Sequence, residues 1–268
     1  MFGLVRLAIA LLGTLAAGAW DLKTTDVPDR IVFPMIAAGL ALGAAEGFVT
    51  GDWSVLVQSL IVVLAFTAFS MLMYYAGAWG GGDGALLVAV GSLLPVWPFA
   101  NAMDFLPFPL AYFVSVFAVG LVYSSACLIA TALRNAKARR AFRREFSKIS
   151  VAYVPVAVLL LLFVPMLPAL LSFAFAILLL AAPPLYALSG ASDEFFYRKI
   201  GSRELRPGDM IGEDLPRLNI FKRRIRGLTP REVAAIRKLK SSVLVRSGVR
   251  YGIVFFLALL SLLLSVLL

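Results

Sequence analysis

The sequence predicts an all-α integral membrane protein, a polytopic helical bundle of about 6–8 spans with a small cytoplasmic domain. Of the 268 residues, 61% are hydrophobic and 15% are charged, whereas soluble domains contain roughly 45–50% apolar residues. Several stretches run for about 20 mostly apolar residues, which is the length that crosses a bilayer. The charged residues gather in a few segments between those stretches.

Seven apolar stretches are candidate spans. They cover residues 4–20, 31–49, 54–77, 85–97, 110–133, 151–188 and 249–268. The first is followed by Asp-Leu-Lys rather than by a small-residue cleavage site, so we interpret it as a helix of the mature protein. As a single helix, the stretch 151–188 would be nearly twice as long as the hydrocarbon layer of the bilayer is thick, and Pro165 and Pro168 interrupt it. We therefore predict a hairpin of two spans there, and eight spans in total.

The positions of lysine and arginine predict the orientation, because short loops rich in these residues stay on the cytoplasmic side. If the N-terminus lies outside, the cytoplasmic segments are 21–30, 78–84, 134–150 and 189–250. These segments contain all of the 25 Lys and Arg residues except Arg6. The opposite orientation would put nearly all of this charge outside the cell.

The same segmentation predicts five domains. They are a transmembrane bundle over 1–133, a basic cytoplasmic loop over 134–150, an apolar hairpin over 151–188, a cytoplasmic α+β domain over 189–248 and a C-terminal transmembrane helix over 249–268. The lysine and arginine residues that give the net charge of +10 lie beside the predicted membrane spans. We therefore interpret the basic loop as a contact for anionic lipid headgroups and expect no nucleic-acid partner.

Two local patterns describe the cytoplasmic domain. Residues 205–215 are typical of a strand and a turn. Thr229-Pro-Arg-Glu predicts the start of a helix, with Thr229 as N-cap, Pro230 at the first position and Glu232 completing a capping box. We expect this helix to reach about Leu244 and to pack its apolar face on the rest of the domain.

Missing residue types restrict the chemistry. Histidine is absent, and Cys127 is the only cysteine. Ser-His and Cys-His nucleophiles, histidine metal sites, disulfides and cysteine metal sites are therefore excluded. We expect no metal and no cofactor. If the chain is an enzyme, carboxylates, lysine, tyrosine or water must transfer the protons.

Two aspartates fall at the predicted cytoplasmic edge of the bundle. Asp21 directly follows the first span, and Asp83 stands in Trp-Gly-Gly-Gly-Asp-Gly. Gly80, Gly82 and Gly84 favour an irregular loop that dips below the membrane surface. The ordinary alternatives are a helix-capping role for Asp83 and a simple helix end for Asp21. Because two neighbouring carboxylates share a proton, we favour a pair that activates water against a peptide carbonyl.

At these two positions the sequence resembles the type IV prepilin peptidases. Asp21-Leu-Lys-Thr-Thr-Asp-Val-Pro is similar to the segment that starts with their first catalytic aspartate, and Gly80-Gly-Gly-Asp-Gly resembles the Gly-x-Gly-Asp signature that carries the second. The archaeal prepilin and preflagellin peptidases are the more similar branch. Residues 205–210, 227–233 and 249–256 resemble their cytoplasmic domain and final span, whereas the cysteine-pair motif of many bacterial members is absent.

The resemblance implies an aspartic endopeptidase with Asp21 and Asp83 as catalytic residues. Its substrates would be prepilin-like or preflagellin-like membrane proteins, whose basic leader it would remove at the cytoplasmic face. Asp26 and Asp29 are candidates for attracting that leader, although solvated loop charge is the more ordinary interpretation. The extra hairpin 151–188 exceeds the six spans that the resemblance implies.

Two other functions stay open at this point. In a transporter or channel, Asp21 and Asp83 would bind a cation or relay protons, and the glycine segment would be a broken helix. The position of both aspartates at one membrane edge, rather than at the midplane, argues against that function. A presenilin-like protease, which cuts inside the membrane, also uses a Gly-x-Gly-Asp loop.

Overall fold

The computed structural model describes residues 2–77, 79–99, 106–134, 136–162, 179, 197–220, 227–246 and 250–267. The α-helices are α1 (Phe2–Thr24), α2 (Asp29–Thr50), α3 (Ser54–Tyr75), α4 (Gly81–Leu93), α5 (Phe108–Arg134), α6 (Ala136–Leu161), α7 (Pro230–Leu239) and α8 (Gly252–Leu267). The strands are β1 (Tyr197–Gly201), β2 (Met210–Ile211) and β3 (Ser242–Arg246). The chain divides into two compact units, which are Met1–Tyr123 with Arg250–Leu268, and Ser124–Val249.

Four of the described helices are long and apolar enough to cross a membrane, namely α1, α2, α3 and residues Phe108–Thr131 of α5. The helices α4 and α8 are apolar but shorter. These features confirm the predicted class of a polytopic helical membrane protein, and the structure also contains a small sheet. Most of the predicted hairpin 151–188 lies outside the described residues, so the total of eight spans stays a prediction.

The short helix α4 is the centre of the first unit, where it contacts α1, α2, α3 and α8. Its residues from Leu86 to Leu93 are buried. The helix starts and ends four residues earlier than the predicted span 85–97. It ends there because Pro95 disfavours helical backbone at Leu94, whose φ of −124° and ψ of 65° lie outside the helical region. Because protein surrounds α4, a helix too short to span the bilayer is accommodated.

Glycines let the neighbouring helices approach α4 closely. A Cβ atom on Gly39 of α2 would lie 2.6 Å from the Ser92 carbonyl carbon. A Cβ atom on Gly91 would lie 2.6 Å from the side chain of Val62 in α3. Since lipid tails are as apolar as leucine, close packing of this kind is a main source of helix association in membranes.

The second unit contains α6, α7 and an antiparallel sheet in the order β1-β3-β2. The capping box that starts α7 is confirmed. The Glu232 N–H donates to Thr229 Oγ1 at 3.3 Å, and the Thr229 N–H donates to Glu232 Oε2 at 2.8 Å. The expected strand and turn in 205–215 correspond to β2 and to a turn at Gly208, whose φ is +96°.

Two local expectations for this unit were wrong. The helix does not reach Leu244 but ends at Leu239, because Ser242–Arg246 forms β3 and pairs with β1. Val243 and Val245 alternate along that strand and are buried, as the period of a half-buried strand requires. The segment 134–150 is not a loop, because nearly all of it belongs to α6, which continues into the apolar residues up to Leu161.

Candidate active site

Asp21 lies in the last turn of α1 rather than after the helix. Its side chain is buried, with 6% of the residue exposed. Its Oδ2 atom accepts a hydrogen bond from the N–H of Gly252, the first residue of α8, at 2.8 Å. A carboxylate at this position is therefore held by the start of a second helix, 231 residues further along the chain.

Two glycines make this contact between α1 and α8 possible. A Cβ atom on Gly18 would lie 2.7 Å from the Cα atom of Ile253. A Cβ atom on Gly252 would lie 2.9 Å from the Cβ atom of Asp21. Any larger residue at either position would therefore push the two helices apart and move Asp21 away from the Gly252 N–H.

Arg250 adds a positive charge to the same region. Its Nη1 atom donates a hydrogen bond to the backbone carbonyl of Leu22 at 2.5 Å. Carbonyls at a helix C-terminus lack partners within the helix, so a cation is favourable there. The guanidinium also interacts electrostatically with Asp21, as does the negative charge of Asp26.

Asp83 is the third residue of α4 and is half-buried. Its Oδ2 atom accepts a hydrogen bond from the N–H of Gly80, the N-cap of that helix, at 3.1 Å. The predicted irregular glycine loop is therefore mostly the first turn of a helix. The capping interaction, the ordinary alternative for Asp83, is present, but it does not account for the second carboxylate near it.

The glycines around Asp83 serve close packing more than backbone strain. A Cβ atom on Gly82 would lie 2.6 Å from the side chain of Val27, which follows α1. A Cβ atom on Gly84 would lie 2.6 Å from the Cβ atom of Ser70 in α3. The third glycine, Gly80, is N-cap, and its Cβ position faces the Asp83 carboxylate at 3.3 Å.

The fold brings the two aspartates together, since α1 packs on α4 and the charge of Asp21 acts on Asp83. Two carboxylates that interact in this way cannot both ionise at low cost, so one holds a proton when the other is charged. This is the state that acid and base catalysis by a carboxylate pair requires.

Asp26 and Asp29 are exposed in and beside the turn between α1 and α2. Asp29 opens α2, where a negative charge is favourable at the helix N-terminus. Asp26 acts electrostatically on Asp21. Both carboxylates are therefore accessible, and Asp26 lies within electrostatic reach of Asp21.

Sequence reasoning missed Tyr251, the residue before α8. Its hydroxyl donates to the backbone carbonyl of Val116 in α5 at 3.3 Å and fills the notch above Gly120, where any Cβ atom would overlap it. Its ring lies 6.1 Å from that of Trp79, just before the glycine segment. The absence of histidine could have signalled this tyrosine, because tyrosine is one of the few remaining polar groups for a buried site.

Glu46 takes part in a buried ion pair. It belongs to α2, and its Oε2 atom lies 2.7 Å from Nη2 of Arg6 in α1. Arg6 is buried, with 2% of the residue exposed. The ion pair lies at the opposite end of α1 from Asp21.

This fold and this site define a class of protein: a polytopic helical membrane protein with a carboxylate pair at the ends of two packed helices. Residues 8–131 match the model of the type IV leader peptidase family. The matched segment contains both Asp21 and Asp83. This similarity to the family confirms the resemblance seen in the sequence.

Curated relatives come from archaea. The chain is 32% identical to the prepilin peptidase EppA of Methanothermobacter thermautotrophicus over 42% of its own length and 32% of the relative's. It is 30% identical to the preflagellin peptidase of Methanococcus voltae over 41% and 51% of the two lengths, and 27% identical to that of Methanocaldococcus jannaschii over 34% and 39%. The chain thus spans about a third to a half of these relatives. No solved structure matches.

Proposed function

We propose that the protein is a membrane aspartyl endopeptidase that removes the basic leader of prepilin-like or preflagellin-like membrane proteins at the cytoplasmic face. The observation that carries the proposal is the pair itself. Asp21 and Asp83 lie within the matched family segment, on two helices that pack together, and they interact electrostatically. The names of the relatives support the substrate class.

The pair can supply both proton transfers of peptide hydrolysis. The charged carboxylate takes a proton from a water molecule, and the protonated carboxyl group donates to the carbonyl oxygen that becomes negative. Burial strengthens these interactions because competing water is excluded. This chemistry and the absence of histidine in the chain support the aspartic type of the peptidase.

Exposed charges near the pair suit a basic leader. Asp26 and Asp29 present carboxylates beside the end of α1. A positively charged segment would be attracted to them, while the adjoining hydrophobic helix of the substrate stays in the lipid. On this proposal Asp26→Asn and Asp29→Asn raise KM and leave kcat close to that of the wild type.

The exposed arginines of α6 suit a membrane surface. Arg139 with Arg143, and Arg140 with Arg144, lie four residues apart and therefore on neighbouring parts of one helix side. Each cation near anionic headgroups contributes about 1 kcal/mol. We place this helix side against the headgroups of the cytoplasmic leaflet, which agrees with the loop-charge orientation.

Cleavage of a defined substrate tests the proposal. The purified protein in liposomes is mixed with an archaeal prepilin or preflagellin, and the new N-terminus is identified by mass spectrometry. Cleavage just before the hydrophobic helix is expected, with loss of activity in Asp21→Asn and Asp83→Asn. Asp52→Asn is the matched control, because Asp52 is exposed and bonds Ser54 between α2 and α3. Activity that disappears in a chelator and returns with metal would contradict a carboxylate mechanism.

The same measurement separates the alternatives. The tripeptide Pro-Ala-Leu, which presenilin-like proteases carry, occurs at 168–170, outside the described residues. Because presenilin-like proteases cut inside the membrane, a new N-terminus within the hydrophobic helix of the substrate would favour this alternative. No cleavage of any such substrate by the wild type would favour a transporter.

Labelling tests the side of the membrane. In a Cys127→Ser background, cysteines introduced at the exposed positions Ser54 and Ser147 are treated with a membrane-impermeant thiol reagent in intact cells. We expect Ser54→Cys to react and Ser147→Cys to react only after the cells are opened. Reaction of Ser147→Cys from outside would overturn the cytoplasmic position of the site.

A further inference from the structure

The surroundings of the two aspartates are not equivalent. Asp21 receives a backbone N–H at 2.8 Å from the start of α8 and the electrostatic attraction of Arg250. Asp83 receives a backbone N–H at 3.1 Å from Gly80, and the charged group that acts on it is Asp21 itself. Among the described groups, a cation therefore acts on Asp21, whereas the charge that acts on Asp83 is an anion.

The start of α8 favours a charged Asp21. The first N–H groups of a helix have no partner within the helix, and the aligned peptide dipoles make this end positive. Gly252 offers such an N–H to Asp21 Oδ2. A hydrogen bond donated to the charged form of a carboxylate stabilises that form.

The exposed side chain of Arg250 is anchored by a hydrogen bond. Its hydrogen bond to the Leu22 carbonyl ties the guanidinium to the residue next to Asp21. The charged groups that act on Asp21 are Arg250, which favours the negative charge, and Asp26 and Asp83, which oppose it. The Gly252 N–H adds to the favourable side.

Tyr251 holds these two donors in position. It lies between Arg250 and Gly252 in the chain, and its hydroxyl bonds the Val116 carbonyl of α5. The notch at Gly120 accepts that hydroxyl. The start of α8 is thereby fixed to α5 as well as to α1, so the Gly252 N–H faces Asp21 without reorganisation.

We infer that Arg250 and Gly252 are positioning residues that hold Asp21 as the charged member of the pair and leave the shared proton on Asp83. The inference rests on the proposed function. Asp21 then takes a proton from water, whose oxygen bonds to the peptide carbonyl carbon, while Asp83 donates its proton to the carbonyl oxygen. When the C–N bond breaks, the leaving nitrogen takes the proton from Asp21, and Asp83 recovers one from the diol. Both carboxyl groups return to their starting states.

The test is the pH dependence of kcat/KM for Arg250→Gln, in liposomes and with the substrate used above. The two limbs of the profile report the two protonation steps of the pair. Removal of the charge next to Asp21 should move the acidic limb to higher pH by about one unit and leave the alkaline limb in place. At a pH on the acidic limb, this is roughly a tenfold loss of kcat/KM.

Two further variants make the result specific. Arg250→Lys keeps the charge and should restore most of the acidic limb. Arg30→Gln removes an arginine near the same end of α1, whose guanidinium lies 4.5 Å from the centre of the Trp20 ring. Its profile should match the wild type.

The contradicting outcomes are distinct. A shift of the alkaline limb alone in Arg250→Gln would assign the charge to Asp83, and an unmoved profile would show that Arg250 does not act on the pair. Either result overturns this assignment while wild-type cleavage still supports the proposed function. Absence of cleavage by the wild type would overturn the proposed function and this assignment together.

Discussion

The two ends of α1 both bury a charged residue, but they treat it differently. At one end, Arg6 is 2% exposed and lies 2.7 Å from a carboxylate oxygen of Glu46. At the other end, Asp21 is 6% exposed and accepts a hydrogen bond from a backbone N–H. The charged side chain that it acts on there is a second carboxylate, that of Asp83. The first end joins opposite charges, and the second brings like charges together.

This difference separates structural from chemical use of buried charge. In an ion pair between two helices each charge stabilises the other, so neither group can easily exchange a proton. Two carboxylates near each other leave one proton shared between them, and that proton can be transferred. On the proposed function, the sign of the neighbouring charge, rather than burial by itself, distinguishes the carboxylate pair from the ion pair.

The largest expected effect is at the Asp21 end. Asp21→Asn and Asp83→Asn should each lower kcat by at least about 10³-fold, and the double variant should be no worse, because groups that act as a unit are not additive. The measurement is single-turnover cleavage by purified protein that elutes as a folded species. Losses that multiply in the double variant would show that the two carboxyl groups act independently.

Substitution of Arg6, at the other end of α1, should change the stability of the protein rather than its cleavage activity. Arg6→Met leaves Glu46 without its partner and should lower the free energy of unfolding in detergent by roughly 3 kcal/mol, at the low end for a buried pair because Glu46 is 24% exposed. The combined variant Arg6→Met/Glu46→Met should recover most of this loss. Cleavage per folded molecule should stay near that of the wild type. A lower cleavage rate at unchanged stability would mean that this end also takes part in function.

A substitution at the contact between α1 and α8 links the two kinds of effect. In Gly252→Ala the new Cβ atom would meet Asp21 at 2.9 Å, so the carboxylate must move. A displacement of about 1 Å can lower the rate about 10²-fold. Gly3→Ala is the control, since its Cβ atom would meet Pro98 at an ordinary 3.6 Å. Equal rates for the two variants would contradict a precise position for Asp21.

The smallest effect is expected at the start of α7, which is capped in the same way as the start of α4. Glu232 bonds the N–H of Thr229 in α7 as Asp83 bonds that of Gly80 in α4. Glu232→Gln should lower the stability of its own unit by about 0.5–1 kcal/mol, measured by denaturant unfolding, and leave the cleavage rate unchanged. A rate loss comparable with that of Asp83→Asn would indicate that the capping geometry, rather than the second carboxylate, determines activity.

Several features could be predicted from the sequence because they depend on neighbours along the chain. The membrane class follows from runs of apolar residues, and the start of α7 follows from Thr229, Pro230 and Glu232 within four positions. The two aspartates stood out because the chain has no histidine and because a glycine signature surrounds one of them. Composition and local spacing are sufficient for such inferences.

Other features were decided only by the tertiary structure. Arg6 and Glu46 are unremarkable in the sequence, and their pairing depends on how α1 packs against α2. The end of α7 moved to Leu239 because β1 offers a strand partner to Ser242–Arg246. The surroundings of Asp21 come from Gly252, 231 residues away. Such contacts form because small residues allow two particular helices to meet, and no local pattern in the chain specifies which helices those are.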